Sequence, residues 1–123
     1  MADINQLETE LNQMITRGEG FPSGFDKFYA DDVVMIEGNG DRCAGKQENR
    51  KRELDFFGMV KELHSARLIA AASAGDISFS EWEYDMTFQD GNRVTLQEIA
   101  RRVWRDGRII EERFYYNAAA MGG

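Results

Sequence analysis

Cysteine, proline and histidine each occur only once in the 123 residues, as Cys43, Pro22 and His64. A lone cysteine forms neither an intramolecular disulfide nor a cysteine metal cluster, and a lone histidine excludes a multi-histidine metal site. This cysteine usage favours a reducing compartment, so we expect a cytoplasmic protein. We assign no metal ligand and no cofactor.

Long apolar runs and a basic balance are also missing. No stretch approaches the ~18 apolar residues that span a bilayer, and the N-terminal segment has no signal-peptide pattern. The chain has 15 basic against 22 acidic residues, and its net charge of -7 repels phosphate backbones. We therefore expect neither a membrane nor a nucleic acid as a partner.

What the chain does contain is typical of a folded globular protein. Hydrophobic residues make up 42% of it and aromatic residues 11%, which is enough to build a core. Its length fits one domain, residues 1–123, with a core at about 3–117. The segment NAAAMGG, which begins at Asn117, is expected to be a flexible tail.

Apolar spacing predicts three helices in the first half of the chain. The first begins at Asp3, presents Ile4, Leu7, Leu11, Met14 and Ile15 on one face, and ends at the glycines Gly18 and Gly20. The second runs from Pro22 to about Ala30. The third runs from Lys46 to about Phe57, with Leu54 and Phe57 as its apolar anchors. A strand, Val33 to Glu37, and a loop, Gly38 to Gly45, lie between the second and third helices.

From Val60 onward the period changes toward two, which predicts three or four long strands in an antiparallel meander. The turn signals AGD, QDGN and RDG separate them. In each of the last three predicted strands, alternate residues lie on one face. These residues are Trp82, Tyr84, Met86 and Phe88 in the first strand, Val94, Leu96, Glu98, Ala100, Arg102 and Trp104 in the second, and Ile110, Glu112, Phe114 and Tyr116 in the third. We predict an α+β fold in which a curved antiparallel sheet packs against three helices and forms a cone that opens near the strand ends.

The segment GDRCAGKQ, residues 40–47, matches part of a phosphate-binding loop. Gln47 stands where the Ser or Thr that binds magnesium would be, and the strands that follow do not form βαβ units. We therefore interpret Gly45-Lys46 as the start of a helix.

His64 and Cys43 are also interpreted as structural or incidental. No G-x-S-x-G elbow is present to partner His64 in a catalytic triad, and a lone histidine is more often a structural side chain. Cys43 lies in a glycine-containing loop with no histidine close to it in sequence.

Glu37 is the sharpest candidate for chemistry. A carboxylate at a strand end that enters an apolar cavity loses solvation, its pKa rises, and it can then move protons on a bound carbonyl compound. The alternative is that Glu37 points into water, as most glutamates do, and the pattern alone favours that alternative.

A second group of charges occupies the apolar faces of the last two strands. If the parity holds, Glu98, Arg102 and Glu112 face the cavity and must be paired, because an unpaired buried charge is costly. A bulge that shifts the register would place them on the outer surface. The sequence leaves both possibilities open.

Four segments together resemble a known family. FYADDVVMIEGNG, the Gly45-Lys46 helix start, EWEYDMTFQDGNRV and VWRDGRIIEERFYYN are similar to the nuclear transport factor 2-like superfamily, in particular its SnoaL-like and ketosteroid isomerase-like branch. The resemblance covers about residues 3–117 and implies a cystatin-like roll, often paired as a homodimer. Because this fold hosts isomerases, cyclases, hydrolases and binding proteins, it does not fix the function.

The resemblance also implies roles at particular positions. Its general base falls on Glu37. Its two oxyanion donors fall near Gln13 or Met14 and on Ala100, none of which supplies the expected phenol or acid. Steroid isomerisation by that mechanism is therefore not expected, since one missing donor costs ~10² to 10³ in rate.

We predict a small-molecule-binding domain that acts by proton transfer, cyclisation or hydration on an apolar cyclic or polyketide-like substrate. The alternative is a non-enzymatic binding module or dimeric assembly module. The catalytic candidates are Glu37, Glu98 and Arg102. Candidate ligand contacts are Phe25, Tyr29, Trp82, Tyr84, Glu112, Phe114 and Tyr116. The expected partners are a small apolar or aromatic ligand and a second copy of the chain.

Overall fold

The structure is a computed structural model and describes residues 3–117. The tail predicted from Asn117 onward lies outside the described residues except for Asn117 itself. No helix in the described range is both long enough and apolar enough to cross a membrane.

Helices occupy much of the first half, as predicted. Helix α1 spans Ile4–Thr16, a helical turn covers Gly20–Gly24, α2 spans Phe25–Phe28 and α3 spans Lys46–Met59. The Asp3 side chain accepts a hydrogen bond from the backbone N–H of Asn5 and so caps α1. Leu11 on α1 is buried, and the other predicted apolar residues of that helix pack around the same core.

Six strands form one sheet in the order β2-β1-β6-β5-β4-β3. Their bounds are Tyr29–Ile36 for β1, Arg42–Ala44 for β2, Val60–Ala74 for β3, Ile77–Phe88 for β4, Arg93–Arg105 for β5 and Arg108–Tyr115 for β6. The four long strands from β3 to β6 form the predicted antiparallel meander. The α+β architecture is therefore confirmed.

Two details of the sheet differ from the sequence prediction. Strand β1 pairs with β6 in parallel, so the sheet is mixed rather than wholly antiparallel. The predicted loop from Gly38 to Gly45 contains the short strand β2, which pairs with the end of β1. Glu37 closes this hairpin, because its N–H donates to the Asp41 carbonyl and its carbonyl accepts from the Gly40 N–H.

The predicted parity of β6 changes at a bulge. Trp104 pairs with Ile109 and Val103 with Glu111, which leaves Ile110 as the extra residue. Ile109 is therefore fully buried in place of Ile110, whereas Glu112 keeps its predicted inward position. The core under the helices is built on Leu11, Phe25, Phe28, Tyr29, Val33, Met35, Trp104 and Ile109.

Candidate functional site

A cavity of about 710 Å³ lies between the helices and the inner face of the sheet. Its volume is in the range of small-molecule sites. The wall contains nine of the ten residues proposed from sequence, namely Phe25, Tyr29, Glu37, Tyr84, Glu98, Arg102, Glu112, Phe114 and Tyr116.

Trp82 is the exception, and its assignment as a cavity residue is wrong. Its side chain is fully buried, its ring Nε1 donates to Ser80 Oγ at 2.8 Å, and its indole stacks on the Tyr84 ring. The two-residue period correctly places Trp82 and Tyr84 on one face of β4, but only Tyr84 reaches the cavity wall. A two-residue period predicts the face of a strand on which a side chain lies, but not whether that side chain reaches the cavity.

Arg102 lies at the centre of a buried ion network. Its side chain is 2% exposed, its Nε donates to Glu112 Oε2 at 2.7 Å, and its Nη1 donates to Glu8 Oε1 and Asn12 Oδ1, each at 2.9 Å. The charged pair of Arg102 and Glu112 joins neighbouring strands at matched register positions. The open question of register is thereby resolved: Glu98, Arg102 and Glu112 all face inward.

The network also includes Tyr29, the first residue of β1. The Tyr29 hydroxyl donates to the Glu112 carboxylate, with oxygen separations of 2.6 and 2.7 Å. Burial and the nearby Glu112 charge raise the pKa of Tyr29 well above its usual value, so the phenol keeps its proton. The pKa of Arg102 is also well above its usual value, because the attraction of Glu112 and Glu8 outweighs the effect of burial, which acts to lower it. Arg102 is therefore a permanent cation held between two carboxylates.

Glu37 lies at the end of β1 with its side chain 25% exposed. Its Oε2 accepts a hydrogen bond from the Tyr116 hydroxyl at 3.1 Å, and its Oε1 is 3.6 Å from Arg52 Nη2. Burial and the Glu37 charge raise the pKa of Tyr116, so the phenol remains a donor to Glu37. Glu37 thus borders the cavity and keeps contact with solvent, a combination of the two environments considered from sequence.

Glu98 is held in a different environment. It lines the cavity from β5, surrounded by protein except where its side chain faces the cavity, and none of the described residues makes a hydrogen bond or ion pair with its carboxyl. Burial, followed by the charges of Glu112, Glu37 and Glu53, raises the pKa of Glu98 to about 8. A carboxyl with this pKa carries its proton at neutral pH and can donate it.

Glu53 is a further cavity carboxyl, and sequence reasoning missed it. It projects from α3, and burial followed by the charges of Glu112 and Glu37 raises its pKa to about 8. The sequence signal was weak, because α3 is charged throughout and its buried residue is Asn49 rather than an apolar one. Its position four residues before Phe57, which also lines the cavity, is the available clue.

Glu8 and Asn12 were missed for a similar reason. They lie one turn apart on α1 beside Leu11, and both are buried against Arg102. A search for partners of an inward-facing arginine would have found them, because an inward arginine must be paired.

The other residues considered from sequence lie away from the cavity wall. His64 Nε2 is 2.7 Å from Thr87 Oγ1 and His64 Nδ1 is 3.0 Å from Glu62 Oε2, on the edge of the sheet. Cys43 is a free cysteine on β2. Lys46, at the start of α3, donates to the Asp26 carbonyl at 3.0 Å. Within residues 3–117, no group of His, Cys, Asp and Glu side chains is arranged to hold a metal ion.

Solved structures with the same fold include the following three. A Mesorhizobium loti protein provisionally named a SnoaL-like polyketide cyclase is 24% identical, with a TM-score of 0.85 over 94% of this chain and 100% of its own. TerC, co-crystallised with polyporic acid, is 15% identical, with a TM-score of 0.76 over 97% of this chain and 95% of its own. A Catenulispora acidiphila protein with a ketosteroid isomerase-like fold, in complex with trimethylamine, is 14% identical, with a TM-score of 0.71 over 98% of this chain and 89% of its own.

At these identities the structures establish the fold, and two of these relatives hold small molecules. No curated protein sequence is significantly similar to the chain. The family model of the SnoaL-like domain matches residues 6–116, which is most of the sequence. The resemblance found in the sequence motifs is therefore confirmed, and the chain belongs to the SnoaL-like domain family.

Proposed function

We propose that the cone binds an apolar cyclic small molecule and moves protons on it, as an isomerase, cyclase or hydratase of polyketide-like substrates does. The observation that carries this proposal is the contrast between two carboxyls in one cavity. Glu98 has a pKa of about 8 and no described partner, whereas Glu37 contacts Tyr116 and Arg52. Carboxyls whose surroundings differ in this way divide into acid and base.

In the proposed reaction, Glu37 removes a proton from the carbon beside a carbonyl group while Glu98 gives its proton to the carbonyl oxygen. The product of this step is a neutral enol, a protonated Glu37 and an ionised Glu98. Return of the Glu37 proton to another carbon, with return of the oxygen proton to Glu98, completes an isomerisation. Because transfer from Glu98 avoids a bare enolate, the missing oxyanion donors near Gln13 and at Ala100 are not required.

Arg102 is assigned a positioning role in this proposal. All its described contacts are to Glu8, Asn12 and Glu112, and its side chain is only 2% exposed. It holds Glu112, whose charge contributes to the raised pKa of Glu98.

The ligand class follows from the wall. Aromatic side chains from the helices and the sheet line the cavity, which suits a flat or cyclic apolar body. The relatives that hold polyporic acid and trimethylamine support a small-molecule role for the cone.

Deuterium exchange tests the proposal. Native mass spectrometry of freshly purified protein identifies any retained compound, and that compound and a panel of cyclic ketones are then incubated with the protein in D₂O. We expect carbon-bound hydrogen to exchange, and Glu37→Gln and Glu98→Gln to slow the exchange by ~10² or more. Glu81→Gln, which removes an exposed carboxyl, is the matched control. Unchanged exchange in both cavity variants contradicts the proposal.

A second candidate is a non-enzymatic binding or assembly module that pairs as a homodimer. Its support is the outer face of the sheet, where Phe79, Ile99 and Tyr115 are 42%, 40% and 45% exposed. Ile99 and Tyr115 are register partners on β5 and β6, so they form one patch that a second copy of the chain would cover.

We further propose that residues 1–123 form one domain that works in the cytoplasm.

A further inference from the structure

The charge of the cavity wall is uneven. Four carboxyl groups line it, on Glu37, Glu53, Glu98 and Glu112, against the two guanidinium groups of Arg52 and Arg102, and no lysine or histidine is among its lining residues. Arg102 is already shared between Glu8 and Glu112, and Arg52 lies beside Glu37. Among the described residues no cation forms an ion pair with Glu53 or Glu98, although the more distant charges of Arg52 and Arg102 act to lower their pKa values.

Glu53 is the one cavity carboxyl for which neither a structural nor a chemical role has emerged. It is half-buried in the wall formed by α3, it faces the cavity, and no described residue donates a hydrogen bond to it. A cavity-facing carboxyl that receives no hydrogen bond from the protein is available to a ligand group that supplies one or that carries a positive charge.

Aromatic rings form much of the helical side of the cavity wall, from which Glu53 also projects. The Phe21 ring stacks on Phe57 at 5.5 Å and contacts Phe25 at 5.4 Å, and Phe25 stacks on Tyr29 at 4.8 Å. Phe56 contacts Phe57 from the same helix as Glu53. Ring faces attract cations, and an ammonium group bound by aromatic rings and a carboxylate needs no further hydrogen-bond donor from the protein.

We propose that the ligand of this cavity carries a positively charged, protonated or quaternary amine on its apolar body, and that Glu53 is the residue that receives this ammonium group. The inference rests on the proposed function, because it names the substrate class of the same cavity. It differs from that function in using Glu53, which takes no part in the proton transfer.

Protonation of Glu53 gives the binding a defined pH dependence. The pKa of Glu53 is about 8, so a cation that binds the ionised carboxylate must displace a proton at pH 6.5 but not at pH 9. Affinity for a quaternary ammonium therefore rises with pH. The titratable and charged groups that face this space are Tyr29, Glu37, Arg52, Glu53, Tyr84, Glu98, Arg102, Glu112 and Tyr116. Among them Glu53 and Glu98 have a pKa near 8, and both act in the same direction.

Two isosteric probes test the inference by isothermal titration calorimetry. One is the cation [4-(hydroxymethyl)phenyl]trimethylammonium, and the other is 4-tert-butylbenzyl alcohol, in which a neutral carbon replaces the charged nitrogen. We expect the cation to bind at least about tenfold more tightly than the alcohol at pH 9, and to bind about tenfold or more weakly at pH 6.5 than at pH 9. The alcohol should bind equally at both pH values.

The variant Glu53→Gln is expected to reduce the preference for the cation at pH 9 by about tenfold or more and to leave binding of the alcohol unchanged. Glu81→Gln removes the same charge from the exposed outer face and should keep the full preference. Tight binding of the alcohol without a preference for the cation overturns the inference while leaving the cavity a binding site. An unchanged preference in Glu53→Gln also overturns it, and failure of both probes to bind overturns it together with the proposed ligand class.

Discussion

Arg102 is the residue on which the interior charges depend. It is the common partner of Glu8 and Glu112, which come from opposite sides of the cone. Removing one partner of a buried ion pair leaves an uncompensated charge, and such changes typically cost about 3–5 kcal/mol.

We therefore expect Arg102→Met to lower the free energy of unfolding by about 3–5 kcal/mol in urea denaturation. Arg105→Met is the matched control, because Arg105 is exposed and its nearest carboxylate, on Asp32, is 4.0 Å away. The triple variant Arg102→Met/Glu8→Gln/Glu112→Gln removes the orphaned charges and should regain part of the loss. Equal stability of Arg102→Met and Arg105→Met would rule out the ion network as a structural centre.

The carboxyls of Glu53 and Glu98 predict a pH dependence of stability. Folding raises their pKa values from 4.5 to about 8, so between these values the folded protein holds protons that the unfolded chain has released. Their contribution is complete below about pH 4.5 and is lost as the pH rises through 8. The slope is at most about 1.4 kcal/mol per pH unit for each group.

Urea midpoints of the wild type and of Glu53→Gln/Glu98→Gln, measured from pH 5 to pH 8.5, isolate this contribution. The wild type should lose stability relative to the double variant as the pH rises. A constant difference between the two proteins over this range would mean that neither carboxyl has a raised pKa.

Helix α3 is attached to the sheet by a buried polar residue. Asn49 is 2% exposed, and its amide Nδ2 donates to the Cys43 carbonyl at 3.0 Å and to the Gly45 carbonyl at 2.9 Å. Cys43 lies on β2, so this one side chain fixes the start of α3 against the β1–β2 hairpin, whose turn begins at Glu37.

Asn49→Ala should destabilise the protein by about 1–3 kcal/mol, because the Cys43 and Gly45 carbonyls lose the hydrogen bonds of the buried side-chain amide. Gln47→Ala, at an exposed position of the same helix, should change the free energy of unfolding by less than about 0.5 kcal/mol. Chemical denaturation of both variants provides the comparison. Similar small effects at both positions would show that the hairpin does not depend on this contact.

The elements also show how far the sequence predicts the fold. Period-two alternation and glycine turns predicted β3 to β6, and helical spacing predicted α1. Each of these signals depends only on residues that are close in sequence. The parallel pairing of β1 with β6 depends on residues about 80 positions apart, and no local pattern encodes it. The prediction that Leu54 anchors α3 is wrong, because its side chain is 55% exposed. Asn49, which is buried and hydrogen-bonded to the Cys43 and Gly45 carbonyls, attaches the helix instead.

The candidate site was predictable to a similar extent. Inward parity found Glu98, Arg102 and Glu112, which lie on long regular strands. It placed Trp82 at the cavity wall incorrectly, because parity carries no information on depth. Glu53 and Glu8 come from helices whose polar residues read as solvent-facing, and only the packing of the helices on the sheet reveals them.

For the whole molecule, the charge inside the cone has the same sign as the net charge of -7. Glu8 and Glu112 share one arginine, Glu37 has a second, and the two remaining cavity carboxyls have none among the described residues. The negative electrostatic potential of these carboxyls opposes an anionic intermediate and favours a cationic ligand or a proton donor. Both proposals, acid-assisted enolisation and recognition of an ammonium group, agree with this negative potential.

The proposed homodimer would bury the outer face of the sheet. We expect sedimentation equilibrium to give twice the chain mass of 14.1 kDa, and Ile99→Glu on the outer sheet face to shift the protein toward the monomer. Leu54→Glu is the matched control, because Leu54 is also exposed but lies on α3, away from that face. A wild-type protein that stays monomeric at millimolar concentration contradicts the dimer.

The proposed chemistry depends most on carboxyls inside the cone that keep their protons at neutral pH. Carbon-13 NMR of protein labelled at the glutamate carboxyl carbons measures this directly, with Glu53→Gln and Glu98→Gln assigning the signals. We expect two carboxyls that titrate near pH 8. Titration of every glutamate below about pH 5.5 would contradict the account.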